Sequence, residues 1–100
     1  DSARTTLLLR YQQLIFDIYE LDTRKLRQKF YTDKKRLRAQ SGPNIMLEEA
    51  LADNAKTISK IEKETRNGTL VREIEKWEAW VKSELDKLSD FCQDCKTKKK

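Results

Sequence analysis

No histidine occurs anywhere in this chain of 100 residues, and glycine, proline and cysteine are nearly as scarce. Without histidine the sequence lacks the side chain that most often shuttles protons or ligates a metal near neutral pH. Only two glycines are present, Gly42 and Gly68, so no glycine-rich loop is available to cradle a phosphate. A single proline, Pro43, leaves long stretches with nothing to interrupt a helix. Two cysteines, Cys92 and Cys95, are too few for a disulfide framework, and this favours a reducing, intracellular and cytoplasmic setting. No apolar run approaches the roughly 18 residues that mark a membrane-spanning helix, so no transmembrane segment is expected. The opening DSARTT lacks the basic-then-apolar layout of a secretory leader and reads as an interior piece of a longer protein. Asn67-Gly68-Thr69 matches the glycosylation acceptor pattern, but a three-residue match recurs by chance.

What remains is charge and aliphatic side chains. Charged residues make up 39% of the chain and the apolar set 37%, the balance of long helices or coiled coil rather than of a thick globular core. The net charge of +5 is uneven. Residues 1–44 hold ten Lys/Arg against five Asp/Glu, residues 45–91 hold eight against eleven, and the last nine are basic again. A basic helix lying beside acidic ones accounts for that asymmetry.

The stretch Leu7 to Leu21, LLLRYQQLIFDIYEL, is the most apolar in the chain, with ten apolar residues in fifteen. Most fall on one half of a helix at about 100° per residue, but Leu9 and Phe16 lie at its back. A helix covering one core needs an apolar stripe only about 100° wide, so this one calls for burial from two sides. Thr5 or Thr6 can cap it, and nothing breaks it before Ser41-Gly42-Pro43-Asn44. Its eleven-residue spacings (Leu8, Tyr19, Phe30; Ile15, Leu26, Leu37) suit a nearly straight rod.

A second helix is expected from Asn44 as its cap, with the seam Leu47, Leu51, Asn54, Ile58, Ile61, Thr65 at alternating fours and threes. Asn54 either sits on the seam and fixes register, or lies at a wet edge with Ala55 as the core residue. At Asn67-Gly68 we read a break, with Thr69 able to cap a third helix; a continuous rod through the glycine is the alternative. The third helix carries Leu70, Ile74, Trp77, Val81, Leu85, Leu88 and Cys92 on one side. Because the second helix is short, it should reach back only to about residue 18 and leave residues 7–17 overhanging.

The expected fold is therefore all-α: an antiparallel three-helix bundle or a long helical hairpin, forming a dimer. Residues 1–95 make one helical domain, with helices over about 5–40, 45–66 and 70–95, and residues 96–100 form a basic, disordered tail. No enzymatic activity and no cofactor are expected. The CxxC at Cys92–Cys95 supplies only two of the four zinc ligands a structural site needs, so we expect Cys92 to be a core residue. The expected function is that of an oligomerisation or scaffold module within a larger intracellular coiled-coil protein, cytoskeletal or centrosomal. It would act through self-association, or through a helical partner, at Leu8, Tyr11, Ile15, Phe16, Tyr19 and Trp80. The rival reading is a basic stripe, Arg24, Arg27, Tyr31, Lys34, Lys35 and Arg38, that binds nucleic acid, a microtubule-like polymer or acidic lipid.

Overall fold

The computed structural model describes residues 2–91, and its regular structure is helical throughout. Four α-helices follow one another: α1 (Ser2–Thr32), α2 (Lys34–Arg38), α3 (Gly42–Thr65) and α4 (Val71–Lys87), with a 3₁₀ turn at Ser89–Phe91. Among the described residues no helix is long and apolar enough to cross a membrane.

The first helix ends well before the glycine. Asp33 breaks it by adopting φ −116° and ψ 63°, and its carboxylate accepts a hydrogen bond from the Arg36 backbone N–H at 3.3 Å. A short polar side chain that can bond its own backbone competes with helix continuation in this way. Ser41-Gly42-Pro43 opens α3 instead of merely ending α1. Ser41 takes a left-handed φ of 63°, and Pro43 sits in the first turn, where its missing N–H costs nothing. Asn44 lies inside α3 and does not cap it. Gly42 is required by space: a Cβ there would run into the Arg36 carbonyl.

The early break shifts the return of the chain. Asn54 Nδ2 donates to Asp22 Oδ2 at 2.7 Å, and the Tyr11 ring lies against Gly68 just past the end of α3, so the α1/α3 pairing is centred near Arg38. The overhang expected for residues 7–17 is correspondingly smaller, because α3 reaches Tyr11. Arg10 then pairs with Glu78 across to α4, Nη2 to Oε1 at 2.6 Å.

The chain does break at Asn67-Gly68. Arg66, Asn67 and Gly68 are all left-handed, with φ of 50°, 58° and 87°. The Asn67 N–H donates to Glu62 O at 2.8 Å, satisfying one of the carbonyls a helix end leaves open. Thr69 turns its hydroxyl back to the Arg66 carbonyl at 2.9 Å, so it does not cap α4, whose N-cap is Leu70. Gly68 is buried, and a Cβ on it would lie 2.5 Å from Tyr11 Cγ: the turn rests on the face of the tyrosine ring. Thr65 completes the corner, its Oγ1 donating to Ile61 O at 2.6 Å and accepting from the Gly68 N–H at 3.1 Å.

The core is a single layer of Leu14, Ile18, Leu21, Ile61, Ile74 and Val81, with Leu7, Tyr11, Ile15, Ile58, Trp77, Leu85 and Leu88 packed around it. On α3 the seam is correct from Asn54 onward but not before it. Asn54, Ile61 and Thr65 are buried and Ala55 is exposed, whereas Leu47 and Leu51 face solvent and Met46 takes the inward position. Between Asn54 and Met46 the inward face rotates by about 80° around α3. The molecule measures 51 × 34 × 18 Å, and its thinnest dimension is under two helix diameters. Such a layer gives each helix an outer face with nothing packed on it.

Candidate association surface

On α1 the inward residues Leu7, Tyr11, Leu14, Ile18 and Leu21 define one side of the helix. At about 100° per residue, Thr5, Leu8, Leu9, Gln12, Phe16, Tyr19 and Thr23 share a sector about 100° wide on the opposite side. Its apolar members are exposed: Leu8 52%, Leu9 60%, Phe16 69% and Tyr19 52%. No charged side chain from Thr5 to Thr23 falls in this sector. The charged residues of the stretch stand elsewhere, Arg10 against Glu78 and Asp22 against Asn54, with Glu20 bordering the sector and Asp17 about 80° beyond its edge. Leu8 also lines a shallow open groove with Leu7, Arg10, Gly68 and Val71, which carries the apolar surface to the start of α4.

Of the six residues expected at an interface, Leu8, Phe16 and Tyr19 therefore stand together on the outer face. Tyr11 and Ile15 are half-buried and packed against the core, so their burial is intramolecular. Desolvation pushes the Tyr11 phenol above its ordinary value; the bond to Thr65 acts the other way and the nearby Glu62 charge adds to the rise. Trp80 lies on a different face. Its ring stands nearly perpendicular to Trp77 at 5.3 Å between centroids, with Lys25 Nζ 5.9 Å above it and Trp77 Nε1 bonded to Glu64. Sequence patterning placed Leu9 at the back of the helix without assigning it to an interface, set Leu47 and Leu51 on the inward seam although they are exposed, and gave no role to Gln12 or the exposed Ile45; the cue for Leu9 and Gln12 was the absence of charge at their helical angle.

No protein-family model, curated protein or solved structure matches the chain. The function of its surfaces has to be read from their own chemistry.

The basic stripe is divided by the fold. Arg24 is buried, bonding Glu20 at 2.7 Å and donating to the Leu85 carbonyl at 2.7 Å. Arg27 Nη1 donates to the Phe91 carbonyl at 2.6 Å. Both arginines thus serve the carbonyls at and beyond the end of α4, where a helix terminus is partially negative. Lys34, Lys35 and Arg38 stay exposed on α2, next to Tyr31 in the last turn of α1. Cys92, Cys95 and the 96–100 tail lie outside the described residues.

Proposed function

We propose that the chain is a non-catalytic helical association module whose outer α1 face pairs with the same face of a second copy. The observation that carries this reading is the sector of Leu8, Leu9, Phe16 and Tyr19, more than half exposed and without charge. Its exposed apolar area is on the order of 400 Å², enough to form the apolar centre of a standard interface of about 800 Å² per partner. A second copy is favoured as the occupant because a two-fold axis sets this sector against itself, residue i meeting j and j meeting i. A sector bearing charge would repel itself in that arrangement; this one does not. Scaffold duty in a cytoskeletal or centrosomal assembly is one setting in which such a dimer would serve.

Light scattering behind a sizing column, over a concentration series, tests the reading. The expected mass is twice the 11.9 kDa of the chain, falling to 11.9 kDa for Phe16→Asp with Tyr19→Asp while the helical circular dichroism is kept. A monomer at every concentration, or a dimer indifferent to the double substitution, would overturn it.

A further inference from the structure

Between Thr23 and Leu47 the sequence carries eight Lys or Arg residues and one carboxylate, Asp33. That carboxylate is turned onto the backbone of α2, as its cap. Four of the cations are accounted for: Arg24 by Glu20 and Leu85 O, Lys25 by Asp22, Arg27 by Phe91 O, and Arg36 by Glu49. The other four, Lys29, Lys34, Lys35 and Arg38, have no carboxylate partner among the described residues, and all stand within ten residues across the α1/α2 break.

Tyr31, 67% exposed, leads into Lys34, Lys35 and Arg38, whereas Lys29 points about 160° away from it around α1 and is half-buried. The Tyr31 ring is steadied by the Phe91 ring, 6.2 Å away at 62°, and Lys34 Nζ rests 5.3 Å above its centroid. A braced aromatic face under a long-stemmed cation, surrounded by unneutralised charge, matches what a flexible polyanion with flat apolar groups requires. We propose that the segment Tyr31–Arg38 binds single-stranded nucleic acid, with Tyr31 stacking a base and Lys34, Lys35 and Arg38 neutralising phosphates. Lys34 leaves the ring for a phosphate as the base arrives. A duplex offers the phosphates but keeps its bases stacked, which leaves Tyr31 idle. An anionic membrane would hold these cations through charge alone, because Phe30 and Leu37 are half-buried against the protein and add no apolar anchor. The site is separate from the outer face of α1, so either reading can fail without the other.

Fluorescence anisotropy with a labelled, mixed-sequence single strand of about 12 nucleotides tests the proposal, titrated at several salt concentrations. Three phosphate contacts give a slope of log affinity against log salt near about −2. Tyr31→Ala should weaken binding about tenfold with the slope unchanged, and Tyr31→Phe should retain it. Reversing Lys34, Lys35 and Arg38 to Glu should abolish binding. The proposal is overturned by no saturable binding at low salt, by binding that survives the triple reversal, or by equal affinity for duplex with Tyr31→Ala silent. Capture by phosphatidylserine vesicles with no affinity for the oligonucleotide would equally overturn it, in favour of a lipid surface.

Discussion

Tyr11 shows how one side chain can be apolar enough to suggest a partner and still belong to the fold. Its ring fills the space that a Cβ on Gly68 would need, and its phenol reaches Thr65, the residue that also holds the Gly68 N–H. Burial raises the phenol's pKa above its ordinary value of 10.0, because the phenolate would lose hydration next to the α3–α4 turn and the Glu62 charge. The protonated form is the one the fold favours, so this contribution is intact below pH 10.0 and is lost as pH rises through the folded value. Urea midpoints measured at about pH 8 and about pH 11 should therefore drop further for the native chain than for Tyr11→Phe, which has no proton to lose. Equal drops would mean that Tyr11 ionises without cost to the fold.

At the scale of elements, polar side chains decide where helices stop and which registers they adopt. Asp33 halts α1 by taking the α2 backbone as its partner, and Arg24 and Arg27 secure the far end of α4. The Asn54–Asp22 bond ties α1 to α3, with the Asp22 side chain only 13% exposed. Asn54→Asp places a second carboxylate 2.7 Å from the first and removes its donor. It should lower stability by about 1–3 kcal/mol in urea unfolding, and adding Asp22→Asn should restore most of the loss by reversing the donor and acceptor. If the exchange restores nothing, the bond does not set the register of these two helices. The heptad seam of α3 was legible only from Asn54 to Thr65. Before Asn54, Leu47 and Leu51 fit the spacing equally well, but the inward face drifts around α3 to Met46 and leaves them exposed.

For the molecule as a whole, thinness governs what the surfaces do. A layer 18 Å across cannot enclose a second apolar face, so α1 shows to solvent whatever it does not spend on its own core. If a second copy covers that face, association stabilises the folded state by mass action. The melting temperature of the native chain should then rise by a few degrees for each tenfold increase in concentration, and that of the Phe16→Asp, Tyr19→Asp variant should not move. A concentration-independent melting temperature for the native chain would exclude a dimer coupled to folding.

Composition and periodicity alone determined that this chain is helical and that Leu7–Leu21 is apolar on more than one side, and they favoured a break at Asn67-Gly68 over a continuous rod. These are local properties: backbone propensity, turn chemistry and the angle between successive side chains. Only the tertiary structure decided that Asp33 ends the first helix, that Tyr11 and Ile15 turn inward while Phe16 and Tyr19 turn out, and that Arg24 and Arg27 are spent on carbonyls. Each of those outcomes depends on which residues distant in sequence meet. A helix apolar on most sides has no unique inward direction until its neighbours arrive, and a cation has no assignment until an acceptor is placed within its reach.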